Sequence, residues 1–154
     1  MLSKNRAPVT PRSFFVLLAV AAAQCVFVAA CGPTPTGPTQ YAPYSQTDLR
    51  LGSGTEAASG NTVGVRYTLW LYDSSKPDGK GLQLETTGTE SSSFQLGVHA
   101  VIEGWERGVP GMRVGGERRL VVPPDLAYGD TRKGIVPPNA TLVFDIELVS
   151  VTVQ

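Results

Sequence analysis

Residues 141–153, TLVFDIELVSVTV, place Leu142, Phe144, Ile146, Leu148, Val151 and Val153 mostly on alternate positions, with polar residues between them. Period-2 alternation over this length is the pattern of a long β-strand with one face against a core. Residues 61–72 repeat the pattern with Val63, Val65, Tyr67, Leu69 and Leu71. Residues 118–122 give a third strand entered through Gly115 and Gly116, and residues 91–97 offer Phe94 and Leu96 on one face. Near the start of this region Leu49 and Leu51 run into Gly52 and Gly54, a short strand followed by a turn. The segment SSKPDGKG, residues 74–81, reads as a turn leading to the apolar pair Leu82 and Leu84. One stretch has helical spacing: in VIEGWERGV, residues 101–109, Val101, Ile102, Trp105 and Val109 recur on one side while Glu103, Glu106 and Arg107 are left for water. Gly108, Pro110 and Gly111 end it. The fold class is therefore α+β: a five- or six-stranded antiparallel sheet wrapped around one short helix, over residues 45–154, with both faces of the alternating pattern expected to be buried.

The part ahead of that domain has a different composition. Lys4, Arg6 and Arg12 precede an uncharged apolar run over residues 14–30, FFVLLAVAAAQCVFVAA, and no acidic residue occurs before Asp48. That is the arrangement of a signal peptide, assigned to residues 1–30. Val28-Ala29-Ala30-Cys31 is similar to a bacterial lipoprotein processing box, which makes Cys31 the expected lipidation site and implies a membrane held through its lipid. Residues 31–44 contain Pro33, Pro35, Pro38 and Pro43 among small polar residues, the composition of an extended tether. The expected location is thus the bacterial cell envelope, periplasmic or at the outer membrane, with the domain lipid-anchored.

Cleavage before Cys31 removes three positive charges, leaving 10 Lys plus Arg against 13 Asp plus Glu, a net charge of −3. No basic face invites nucleic acid. A single remaining cysteine excludes a disulfide framework or a cysteine metal site, so no metal and no cofactor are expected, and a monomer is the simplest assembly. His99 is the one histidine and reads as a surface or capping residue. With no GxSxG, HExxH, CxxC or P-loop pattern, hydrolysis by a triad or by bound zinc has no residues to use. What the domain does have is rings: Tyr67, Phe94, Trp105, Tyr128 and Phe144 come from five different elements. On composition alone they read as an ordinary aromatic core.

The order of the local motifs changes that reading. VIEGWERGV, then LAYG at residues 126–129, then IVPPNATLVFDIEL at 135–148, with VRYTLWLYD at 65–73 ahead of them, resembles the FKBP-type peptidyl-prolyl cis-trans isomerases, the family that binds macrolide immunosuppressants, from Thr47 to the C-terminus. The resemblance implies that Trp105 is the platform under a substrate proline, walled by Tyr67, Phe94, Val101, Ile102 and Phe144, with Tyr128 offering its hydroxyl. It implies that the Ile102 N–H binds a peptide carbonyl, and that Ile135 and Val136 form the apolar edge of a loop over the site. The implied activity is isomerisation of X–Pro bonds in proline-containing polypeptides, assisting the folding of extracytoplasmic proteins.

Three departures from the family pattern bear on that activity. Leu84 and Glu85 stand where a Phe-Asp pair is usual, and Ser92 stands where another aromatic residue is common. The loop GDTRKG, residues 129–134, is about one residue short. Ser92 and the shortened loop touch the rim of the pocket, so macrolide binding is expected to be weak. The competing readings are a catalytically weak prolyl-peptide chaperone or scaffold of the same fold, and a structural envelope lipoprotein.

Overall fold

The computed structural model describes residues 40–153; the expected signal peptide, the expected lipidation site Cys31 and most of the expected tether lie outside them. Six strands and one helix follow in the order β1 (Ser45–Arg50), β2 (Thr62–Tyr72), β3 (Lys80–Thr86), β4 (Ser92–Gln95), α1 (Glu103–Gly108), β5 (Glu117–Val122) and β6 (Leu142–Thr152), with a 3₁₀ turn at Pro124–Leu126 before the last loop. All pairings are antiparallel, in the order β1-β5-β6-β2-β3. Strand β2 is the spine. One of its edges runs along β6, and the other is shared between β4, opposite Thr62 to Val65, and β3, opposite Thr68 to Tyr72.

The long final strand shows how sequence dictates register. Leu142, Phe144, Ile146 and Leu148 all face inward and are at most 3% exposed. The next inward residue is Val151, three positions on rather than two. The cause is a bulge: Val65 pairs with Leu148 but Gly64 pairs with Ser150, so Val149 is looped out and the inward phase shifts by one. Opposite the bulge sits Gly64, where a Cβ would lie 2.5 Å from Ser150 Oγ. Burying each large aliphatic side chain on this face contributes about 1.5–3 kcal/mol, which makes a register slip across the sheet prohibitive.

That inner face carries the main apolar cluster, and on the other face Val143 alone of β6 is fully buried. On the outer face Arg119 makes a two-pronged contact with Asp145 at 2.7 and 3.0 Å. Lys80 Nζ reaches Asp145 at 2.5 Å while lying 4.1 Å above the centre of the Trp70 ring. Arg66 and Arg50 share Glu147. The expectation that both faces would be buried is therefore corrected in part: the sheet is one layer on one helix, and its outer face buries Val143 but is otherwise covered largely by ion pairs.

The helix also differs from its sequence pattern. It starts at Glu103, with Val101 in a bend and Ile102 in extended backbone ahead of it, and it docks through Gly104 and Gly108 rather than through an aliphatic stripe. A Cβ at Gly104 would meet Val122 Cγ1 at 2.4 Å, and one at Gly108 would meet Leu120 Cδ1 at 2.5 Å. Glycine lets the backbone of α1 approach β5 closely enough to turn Trp105 into the hollow of the sheet. Glu106, expected in water, instead turns toward the preceding loop and accepts the Gly97 N–H at 2.7 Å.

Residues 40–44 also depart from a solvated tether. Ala42 is buried and its N–H donates to Thr141 Oγ1 at 3.4 Å, Gln40 accepts the Ser74 N–H, and Tyr44 packs on the core with its hydroxyl donating to the Gly104 carbonyl at 3.2 Å. The folded unit therefore begins ahead of β1.

Candidate active site

Helix α1 is held at both ends. Tyr44 hydrogen-bonds the carbonyl of its first turn, and Arg118 donates to the Gly108 and Pro110 carbonyls at 2.8 and 3.2 Å, satisfying acceptors that a helix C-terminus otherwise leaves bare. Arg118 is itself fixed by Asp48 at 2.6 Å. A six-residue helix has little stability of its own, so these clamps and the glycine contacts determine where Trp105 sits.

Three rings surround Trp105. Tyr67 from β2 meets it edge-on at 5.0 Å between centroids, Phe144 from β6 edge-on at 5.3 Å, and Phe94 from β4 at 5.6 Å with a 45° tilt. These separations and angles are the favoured geometries of aromatic pairs. The indole is 6% exposed, and its N–H has no acceptor among the described residues. Above this cluster opens a cleft of about 540 Å³, lined also by Leu69, Glu85, Ser92, Ser93, Ala100, Val101, Ile102, Tyr128 and Lys133. Its floor is apolar, and its polar groups stand on the walls.

Two hydroxyls define those walls. Tyr67 donates to Glu85 Oε1 at 2.8 Å; burial, this hydrogen bond and the nearby carboxylate charge together push its phenol up to about 12. Tyr128 is raised too, first by burial and then by the Glu85 charge, and its hydroxyl has no partner among the described residues. Both tyrosines therefore stay protonated and serve as donors, one already committed and one free. Ile102 has extended backbone (φ −60, ψ 148) immediately ahead of α1; its carbonyl accepts from Trp105 and Glu106, and its N–H has no acceptor among the described residues. Tyr128 and Ile102 thus supply two fixed donors on the cleft.

Nine of the residues named from sequence line this cleft: Tyr67, Phe94, Trp105, Tyr128, Phe144, Val101 and Ile102, with Glu85 and Ser92 on its walls. Leu84 does not; it packs against the core beside them. Ile135 and Val136 are separated by their turn rather than forming one edge: Val136 is buried in the core, while Ile135 is 58% exposed. The loop contributes Lys133 instead, a residue whose charge in a Gly-rich turn carries no sequence signal beyond solvation. Leu69, Ser93 and Ala100 were likewise indistinct; Leu69 could have been found from its place two residues after Tyr67 on the same strand face. His99 is exposed, 3.6 Å from Glu103 and outside the cleft.

A six-stranded antiparallel sheet closed on one short helix, with an indole boxed by three rings, defines a non-covalent binding cleft rather than a nucleophile's site. The family model described as FKBP-type peptidyl-prolyl cis-trans isomerase matches residues 53–149, and the chain belongs to that family. A protein of Neisseria meningitidis serogroup B named FK506-binding protein is 39% identical over 105 residues, covering 68% of this chain and 92% of its own length. FK506-binding protein 4 of Dictyostelium discoideum is 42% identical over 121 residues, 77% of this chain; the chain spans 31% of that longer relative. Among solved structures, FkpA from Escherichia coli is similar with a TM-score of 0.59 at 37% identity, over 71% of this chain and 48% of that one. AtFKBP13 gives a TM-score of 0.60 at 32% identity, over 71% and 93%.

Proposed function

We propose that this chain catalyses cis-trans isomerisation of X–Pro bonds in polypeptides outside the cytoplasm, held at a membrane by lipid on Cys31. The observation that carries the catalytic reading is the boxed indole of Trp105 beneath a cleft whose free donors are the Tyr128 hydroxyl and the Ile102 N–H. Rotation about the X–Pro bond breaks amide resonance across a barrier of about 18–20 kcal/mol, and no covalent bond has to form. The twisted amide has lost carbonyl polarity and needs water less than the planar form, so an apolar floor favours it. Two fixed donors hold the flanking chain while the bond turns. A millionfold acceleration asks for about 8 kcal/mol of such differential stabilisation.

The absence of an aromatic residue at Ser92 and the short loop over residues 129–134 support weak binding of FK506, the ligand named for the relatives, because a large ligand uses the rim and a proline uses the floor. Nanomolar affinity in a titration would contradict this. Leu84 and Glu85, in place of the usual Phe-Asp pair, favour as second reading a prolyl-peptide chaperone that binds more than it catalyses. A protease-coupled assay on a short X–Pro peptide separates the readings: the wild-type chain accelerates the slow phase and Trp105→Leu loses at least ten-fold of that rate. Equal rates for the two proteins sink the catalytic reading. The apolar run after Lys4, Arg6 and Arg12 and the box ending in Cys31 support the envelope location. Mass spectrometry of the mature N-terminus tests it, a diacylated Cys31 supporting it and an intact Met1 overturning it.

A further inference from the structure

Of the charged groups on the cleft, Glu85 has an oxygen engaged by Tyr67, whereas Lys133 has no side-chain partner among the described residues. Lys133 is not a drifting surface cation. Its N–H donates to the Val136 carbonyl at 3.1 Å and its carbonyl accepts from the Val136 N–H at 2.9 Å, a tight reciprocal pair made possible by Gly134 at φ 57. The base of the same loop is closed by the Asn139 N–H on the Gly129 carbonyl at 2.7 Å, next to Tyr128. A cation is therefore held by its backbone at the rim, on the same loop as the free tyrosine hydroxyl.

We propose that Lys133 is a specificity-determining residue that selects prolyl peptides carrying a carboxylate side chain next to the proline. The inference rests on the isomerase reading above. A peptide lying over Trp105 leaves the cleft past this rim, where a glutamate side chain meets an unpaired ammonium and a lysine side chain meets a like charge. An exposed pair of this kind changes rates by about three-fold, and the effect fades as salt shortens the reach of the charge from roughly 30 Å to a few ångströms.

The test uses the full-length protein and two peptide pairs, one with Glu or Lys immediately before proline and one with Glu or Lys immediately after it, plus a Leu peptide. The readout is the Glu-to-Lys ratio of kcat/KM within each protein, which cancels any general loss of activity. The wild-type ratio is about three or more in at least one pair at low salt and approaches one at high salt. Lys133→Glu inverts it, and Lys133→Gln brings it near one. A ratio near one in both pairs, or one that Lys133→Glu leaves unchanged, overturns the proposal. If the wild-type protein accelerates none of the peptides, Leu included, it is the isomerase reading that fails. Thermal melts of both variants confirm that the fold is intact, and the Gln variant carries the test if the Glu variant is unstable.

Discussion

The Tyr67 hydroxyl donates to Glu85 Oε1 at 2.8 Å, across the β2–β3 ladder, where Leu69 pairs with Glu85 just ahead of a register shift at Trp70. The extra methylene of glutamate over the aspartate usual in the family is thus absorbed locally. The carboxylate still reaches the tyrosine, and the substitution keeps the wall of the cleft assembled rather than leaving a loose surface charge.

Removing the Glu85 charge should therefore be read first at the phenol. In Glu85→Gln the Tyr67 value falls from about 12 but stays above 10, because burial, the largest cause, remains. NMR titration of tyrosine 13Cζ resonances measures it. The sign for stability follows: a phenol raised above its unfolded value of 10 contributes stability that is complete below pH 10 and is lost as pH rises toward 12. Glu85→Gln flattens that alkaline limb relative to wild type, Tyr128 losing the share it draws from the same charge while Tyr44 contributes equally to both proteins. Identical limbs would show that the hydrogen bond does not form in solution.

The two helix glycines should respond unequally to alanine. A Cβ at Gly104 meets three atoms of Val122, at 2.4, 2.9 and 3.2 Å, and a β-branched side chain has no rotamer that clears all of them. The gain of about 1 kcal/mol in helix preference is outweighed by overpacking of about 1–3 kcal/mol, so Gly104→Ala lowers stability and lifts Trp105. At Gly108 the obstacles are the terminal methyls of Leu120 and the Tyr44 hydroxyl, which can give way. Urea denaturation ranks Gly108→Ala above Gly104→Ala, and the isomerisation rate falls more in the latter.

Those glycines also explain what was hard to read in the sequence. Strands β2 and β6 were legible because their buried residues alternate, and even the bulge left a trace in the step from Leu148 to Val151. The five rings were legible as a site only through the order of the surrounding motifs, since a boxed indole and an ordinary core use the same residues. Helix spacing misled: Val101 and Ile102 fall ahead of α1, and its packing surface is two glycines that no hydrophobic pattern records. Ile135 and Val136 look alike in sequence but are split by a turn that sends one to the core and one to solvent. Tyr44 and Ala42 were hidden by the prolines around them, because composition averages over a segment whereas packing selects single residues.

On the outer face, Asp145→Asn tests whether the ion cluster holds the sheet. Burial pushes the Asp145 carboxyl up, but hydrogen bonds from Arg119 and Lys80 outweigh it and hold the group below its usual 3.8. Its stabilisation is present above that value and is lost as pH falls through the lowered one. The variant leaves two cations facing a neutral amide and loses about 1–3 kcal/mol at pH 7. Urea midpoints for the two proteins converge as pH falls below 3.8, and a gap that persists in acid would assign the loss to packing instead.

Tyr44 makes the strap ahead of β1 a part of the site's support. Its ring packs on the core, and its hydroxyl donates to the Gly104 carbonyl at 3.2 Å, one residue before Trp105 in a helix too short to hold its own position. Tyr44→Phe removes the hydrogen bond and keeps the ring, costing about 0.5–1.5 kcal/mol; Tyr44→Ala also opens a cavity and costs about 3–5 kcal/mol. If the strap only adds stability, both variants isomerise X–Pro peptides at the wild-type rate at temperatures where they are folded. If it sets the height of the helix, Tyr44→Phe already lowers kcat in the folded protein, and Trp105 fluorescence in a Trp70→Phe background shifts with it. The second outcome is the expected one, because the Tyr44 hydroxyl fixes a backbone carbonyl of the first turn directly, whereas Gly104 only touches Val122 there and Glu106 reaches the Gly97 N–H through a flexible side chain.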